Sequence, residues 1–199
     1  TKIQLAIDAA SPGDTISICD GNYSESITIG KNNLTVQSSS SNRNNVIIQN
    51  ISGNTLAISG VDGLVIKDIS LKQTKSNNAV VFSKNFTSKN ITFSNIDIDS
   101  NTTGVIGDAI RFDGNATNIA ITGSSLVSKV GSGIGSPSGS VVTSSLGIDN
   151  STIYGNAGIY LNDINGGFSV RDCNITSVGI ESGNNAIYFG YKPTKGFFS

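Results

Sequence analysis

The chain of 199 residues has no histidine, no methionine, two cysteines and three prolines, and only 14% of it is charged. Each shortage excludes something. Without histidine, Ser–His and Cys–His nucleophilic catalysis are closed, which leaves Cys19 and Cys173 without their usual base. Zinc is disfavoured for the same reason. A formal charge of -1 with no basic cluster provides no footprint for nucleic acid. No apolar run approaches the roughly 20 residues of a membrane helix. No signal peptide is read, and a chain opening at Thr1 without a methionine is expected to be a mature product or part of a longer polypeptide.

What the chain does have is Asn, Ser, Thr and Gly, and a pattern written five times. The copies are LVIKDISL from Leu64, ITFSNIDI from Ile91, IAITGSSL from Ile119, LGIDNSTI from Leu146 and FSVRDCNI from Phe168. They recur about every 22 to 28 residues, the mark of a solenoid. Their fifth positions are Asp68, Asn95, Gly123, Asn150 and Asp172. These residue types best tolerate the left-handed backbone that bends a strand sharply. Asn-x-Ser/Thr triplets such as those at Asn22, Asn85, Asn90 and Asn174 follow from this composition and are not read as glycan sites.

Within each copy the first and third residues are apolar between polar neighbours, the alternation of a half-buried strand. Leu64 and Ile66 are expected inside, Val65 and Lys67 outside. After the corner an inward apolar residue follows at Leu71, Ile98, Leu126, Ile153 and Ile175. A third strand then reads AVVF from Ala79, AIRF from Ala109, GIGS from Gly133, GIYL from Gly158 and AIYF from Ala186. Three strands per turn predict an all-β, three-sheet parallel solenoid. Upstream strands in poorer register add one or two coils. Residues 2–10 have helical spacing and end at SPGD, so a helix over 1–14 is expected to cap the first coil. Residues 15–189 form the coils of a single domain. Residues 190–199 are a tail in which Phe197 and Phe198 fold back over the core or lead into a continuation. Stacked coils lie about 4.8 Å apart, so Cys19 and Cys173 are too distant for a disulfide.

On two features, the opening IQLAIDAASPGDTISICDGNYSESITI and the recurring strand–Asn/Asp/Gly–strand corner, the chain resembles the right-handed parallel β-helix superfamily, the pectate-lyase-like solenoids. The resemblance implies a right-handed, single-stranded parallel β-helix with an N-terminal capping helix. It leaves activity open, since such folds carry lyases, hydrolases, esterases, epimerases, tailspikes and adhesins. Polygalacturonase-like and epimerase-like members rely on a histidine that is missing here. Pectinesterase-like members share the look of the N-terminal stretch, but their Gln-rich and Asp-Phe-Ile-Phe-Gly signatures are not found.

Lyase chemistry of the pectate-lyase kind needs a basic side chain beside a uronate and acidic side chains holding Ca²⁺. The matching cluster is IDIDSNTTGVIGDAIRFDG, with Arg111 as the base and Asp97, Asp99 and Asp108 as the metal ligands. Asp113 flanks it, and the loop between Asp99 and Asp108 is expected to wall a groove. The plainer reading, a solvated face with an Arg–Asp ion pair, is preferred. A second candidate is the outward column of the third sheet: Ala57, Val81, Arg111, Gly135, Tyr160 and Tyr188. Tyr160 and Tyr188, stacked on adjacent coils with Arg111 nearby, suit an extended glycan, or else simply stabilise each other across strands. GSGIGSPSG, from Gly131 to Gly139, is read as a loose turn because no Lys-Ser/Thr follows it.

The short turns build little concavity for catalysis. The expected function is therefore a non-catalytic, secreted or cell-surface module for adhesion or polysaccharide binding, with no cofactor. Its partner would be a polysaccharide rather than nucleic acid or a membrane. The alternatives are a calcium-dependent polyuronate lyase and a purely structural spike or spacer.

Overall fold

The computed structural model describes residues 2–198 apart from 51, 76, 102–106, 143–144, 180–185 and 191–194, with residues 138–142 and 195–198 described by their backbone only. A short helix, α1 (Ile3–Ala9), precedes coils of three strands each. The first coil is β1 (Thr15–Ile18), β2 (Gly21–Ser24) and β3 (Ile27–Ile29). The second is β4 (Leu34–Ser38), β5 (Val46–Asn50) and β6 (Leu56–Ile58). The third is β7 (Asp62–Lys67), β8 (Ser70–Gln73) and β9 (Val80–Phe82), and the fourth β10 (Thr87–Ser94), β11 (Asp97–Ser100) and β12 (Ile110–Phe112). The fifth is β13 (Asn115–Thr122), β14 (Ser125–Ser128) and β15 (Ile134–Val142), and the sixth β16 (Leu146–Asp149), β17 (Thr152–Gly155) and β18 (Ile159–Ile164). The seventh is β19 (Gly167–Arg171), β20 (Asn174–Ser177) and β21 (Ile187–Phe189), after which β22 (Lys195–Phe198) returns to the first face beside β19.

Like strands of successive coils pair in parallel, so the coils form three faces, as the sequence pattern predicts. The core is a set of in-register columns. On the first face Leu34, Leu64, Ile91, Ile119, Leu146 and Phe168 lie one above another. On the second, Ile48, Leu71, Ile98, Leu126, Ile153 and Ile175 do the same. On the third, Ile29, Ile58, Phe82 and Phe112 continue the pattern. All but Ile175 are buried.

The five corner residues all take positive φ: Asp68 59°, Asn95 51°, Gly123 56°, Asn150 45° and Asp172 49°. In that conformation the corner amide still bonds the next coil, as from Asp68 to the Ser94 carbonyl at 3.1 Å and from Asn95 to the Thr122 carbonyl at 2.9 Å. The Asn95 side chain adds a bond in the other direction, its Nδ2 donating to Asp68 Oδ1 at 2.7 Å. One residue on, the Ile96 amide donates to Ser124 Oγ and the Ser124 amide to Ser151 Oγ. Each of these hydroxyls donates to the carbonyl two residues before it, and Cys173 repeats the bond, its thiol reaching the Arg171 carbonyl at 3.0 Å. Cys173 is thus the last serine-like rung, and Cys19 is exposed; both are free thiols. Cys173→Ser is expected to change the unfolding free energy by less than about 0.5 kcal/mol, measured by urea denaturation. A larger loss would mean that sulfur packing, not the hydrogen bond, holds that corner.

Helix α1 closes the first coil with Ile3 and Ile7, one turn apart and both within the core. Its polar groups are satisfied by the coil beneath, as buried helix ends require. The Glu25 carboxylate accepts the Ile3 and Gln4 amides at 3.1 and 3.2 Å. Lys31 donates to the Asp8 and Ala10 carbonyls at the other end. The Gln4 side chain acts as one residue of a missing strand: it accepts from the Thr28 amide at 2.7 Å and donates to the Thr28 carbonyl at 3.1 Å. The free edge of β3 is blocked in this way.

Two expectations are corrected here. The third strand read at GIGS is present, but Gly131–Gly139 is not a loose turn beyond it, because β15 runs from Ile134 to Val142 and joins β18 on one side and β13 on the other, with a register shift between Ser136 and Val141. Phe197 and Phe198 belong to a strand on the first face rather than to a plug.

Candidate functional site

The outward column of the third face is assembled as its spacing implies. Ala57 pairs with Val81, Val81 with Arg111, Arg111 with Gly135, Gly135 with Tyr160, and Tyr160 with Tyr188. Alternation along the strands turns these residues outward, between inward neighbours such as Ile159 and Leu161. The Tyr160 and Tyr188 rings stack with centroids 4.6 Å apart and planes 11° from parallel, a separation set by the rise of one coil. Both side chains keep part of their surface in solvent. Val81 and Gly135, though outward, are buried. For Gly135 the reason is visible: the Asp108 carboxylate lies over it, so close that a Cβ there would come within 2.4 Å of Oδ2.

Arg111 stands between two carboxylates. Its Nη1 donates to Asp108 Oδ2 at 2.9 Å and its Nε to Asp113 Oδ1 at 2.8 Å. The Asp108 side chain is only 6% exposed. Burial pushes its carboxyl above the usual range, opposed by the Ser132 amide and by Arg111. Burial also works against the Arg111 cation, but Asp108 and Asp113 outweigh it and hold its pKa up. A guanidinium held this firmly protonated is the wrong state for a general base.

Asp108 also has a place in the fold that its charge obscures. Asn54 Oδ1 accepts the Asn78 amide at 3.1 Å, Asn78 Oδ1 accepts the Asp108 amide at 2.9 Å, and Asp108 Oδ1 accepts the Ser132 amide at 2.7 Å. Each residue sits two positions before the first inward residue of its third-face strand. Asp108 is therefore one rung of an amide ladder at the corner, with Arg111 balancing the charge an asparagine would not carry.

Asp97 and Asp99 lie elsewhere. They project from β11 on the second face, Asp97 between Ser70 and Ser125, and Asp99 between Lys72 and Val127. The Asp99 carboxyl is raised by burial and by Asp97, against the pull of Lys72. A corner separates this pair from Asp108, and the long loop expected to wall a groove lies largely outside the described residues. Among the described residues no three acidic or thiol side chains gather as a metal site, so the expected calcium set of Asp97, Asp99 and Asp108 does not form.

Arg43 was not legible in the sequence. From the corner of the second coil its Nη1 reaches the Ile96 and Gly123 carbonyls at 3.2 and 3.1 Å, tying three coils together along their corner. No spacing rule marks a contact 80 residues distant. The Asn54–Asn78–Asp108 ladder did leave a signal, the same offset before successive third strands.

No protein-family model and no curated protein sequence matches this chain. Solved structures do. A mutant pectin methylesterase in complex with a hexasaccharide is 13% identical with a TM-score of 0.51, over 98% of this chain and 85% of that one. The pectin methylesterase from Yersinia enterocolitica is 11% identical with a TM-score of 0.42, over 94% of each chain. At such identities it is the architecture that is shared. Three parallel faces, their left-handed corner ladder and this likeness make the chain a right-handed parallel β-helix, the fold of the pectin methylesterases.

Proposed function

We propose that this chain is a polysaccharide-binding module of a secreted or cell-surface protein, which holds its ligand on the third face at Tyr160 and Tyr188 and performs no chemistry there. The observation that carries the reading is the in-register stack of the two tyrosines on a parallel sheet. Rings already locked against each other lose little freedom when a sugar settles on them, and tyrosine offers a large, rigid, amphipathic surface. Arg111 lies on the same column, two rungs away, and marks the end of the strip. A β-helix of the same architecture, a pectin methylesterase, is described in complex with a hexasaccharide, which supports the class of ligand. The lyase alternative has no support, because Arg111 is a paired cation and the acidic residues are divided between two faces.

The test is retardation of the purified chain in native gels containing polysaccharide. Tyr160→Ala with Tyr188→Ala is expected to weaken binding by about tenfold or more, since two aromatic contacts together exceed about 1.4 kcal/mol. The same change should cost the fold only about 0.2–1 kcal/mol for the lost cross-strand pair. Binding that survives the double substitution would remove the tyrosine platform from consideration.

A further inference from the structure

We infer that the outer edge of β1 is a docking site for an extended peptide segment of another protein, which joins the first face as one further strand. The backbone carries the first step. The Asp14 and Ile18 carbonyls accept the Thr35 and Ser39 amides at 3.0 and 2.8 Å, so Asp14, Ile16 and Ile18 are turned toward β4. Thr15 and Ser17 therefore aim their N–H and C=O groups the other way, off the end of the stack. Both residues are exposed, β1 pairs with β4 alone, and among the described residues nothing bonds those four groups. The third face shows what is missing. There the Gln4 side chain meets both the amide and the carbonyl of Thr28, as an added strand would. An unpaired edge of this kind is a template for another strand.

The core column dictates what the added strand carries. Ile16 heads a first-face column that continues through Val36, Ile66, Phe93, Ile121 and Ile148. Those five are buried, whereas Ile16 is only half-buried, with no strand of the described residues above it. Between β1 and α1 this uncovered end opens into two adjoining hollows of about 260 and 410 Å³, which share Ala6, Ile16 and Ser17. Ala6, Ala9 and Ala10 form the helix wall, and their short side chains leave room beside the strand. An extended segment with an apolar residue over Ile16 continues the column. Its polar neighbours then stand over Thr15 and Ser17, as Thr35 and Gln37 do on the other side. A second copy stacked as a further coil fits less well. It would have to close to about 4.8 Å across a helix about 10 Å thick, whereas a single segment lies beside that helix.

The probe is a fluorescent synthetic peptide of sequence NNLTVQSS, the stretch whose strand β4 already pairs with β1. It is added to the whole chain and followed by anisotropy and by hydrogen exchange. Binding should slow exchange of the Thr15 and Ser17 amides and leave those of Ile16 and Ile18 unchanged. Ser17→Pro removes an edge N–H that no ladder bond uses, so the thermal midpoint should stay within about 3 °C of the parent. Its ring obstructs the edge, and peptide affinity should fall at least about tenfold. Ala6→Trp fills the hollow from an exposed helix position and should weaken binding to a similar extent, which keeps the test standing if the proline variant folds poorly. A peptide with Asp in place of its valine should also bind at least about tenfold more weakly. No binding at about 1 mM peptide, binding indifferent to both protein variants, or unaltered exchange at Thr15 and Ser17 would overturn the site. Self-association of the parent that Ser17→Pro abolishes and the peptide does not displace would make the edge a contact between copies, and would overturn the peptide as its occupant.

Discussion

Arg111→Ala is expected to lower the unfolding free energy by about 3 kcal/mol, the low end for removing one partner of a buried ion pair. The low end applies because the Arg111 side chain is 25% exposed, while Asp108 at 6% is left with a charge it cannot hydrate. The rescue is more diagnostic than the loss. Asp108→Asn in the same background keeps Oδ1 as acceptor for the Ser132 amide and removes the stranded charge, so most of the stability should return. The pH dependence has a definite sign. Burial raises the Asp108 carboxyl in the folded chain, and removing Arg111 removes one of the influences that lower it. Between the unfolded and folded values the folded chain keeps a proton that the unfolded chain releases, so stability falls as pH rises through that window. The Arg111→Ala variant should therefore lie closest to the parent in acid and furthest from it at neutral pH. Chemical denaturation at the two conditions measures this; a pH-independent loss, or no rescue by Asp108→Asn, would refute the pairing argument.

Phe82→Ala should be the most damaging change in the core, at about 3–5 kcal/mol. Phe82 is fully buried, its ring tilted against Phe112 with centroids 4.6 Å apart and edge-on to Phe93 at 6.4 Å. It thus joins two faces of the solenoid as well as two successive coils. The strands of each coil pair only with those of its neighbours, so a defect at the third coil should loosen the stack locally before the ends respond. Hydrogen exchange is expected to accelerate first in β6, β9 and β12, with β17 and β18 still protected. A loss below about 1 kcal/mol would mean that Phe93 and Phe112 close the space, as well-collapsing sites can.

Much of this was legible in the residues themselves. The left-handed corners at Asp68, Asn95, Gly123, Asn150 and Asp172 follow from a repeated residue type, and the column from Ala57 to Tyr188 follows from counting along the third strands. Both are relations between neighbouring coils, which a periodic sequence states directly. The strand read at GIGS was cut short within Gly131–Gly139, because the proline and glycine that follow suggest a turn. Strand β15 forms regardless, since β12, β13 and β18 supply its backbone partners. Tertiary pairing outweighed local propensity there.

The charge cluster between Asp97 and Asp113 shows the limit most clearly. In sequence these are five charged residues within 17 positions, and they look like one site. In space Asp97 and Asp99 lie on β11 of the second face and Arg111 on β12 of the third, so they do not share a surface. The sequence by itself determined the coil, its corners, its inward columns and the tyrosine strip, because all of these repeat with the period of the chain. Only the tertiary structure decided that Asp108 is a ladder rung neutralised by Arg111, and that Arg43 ties three coils at their corner. Those contacts depend on the angle of each bend and the reach of single side chains across it, and neither repeats.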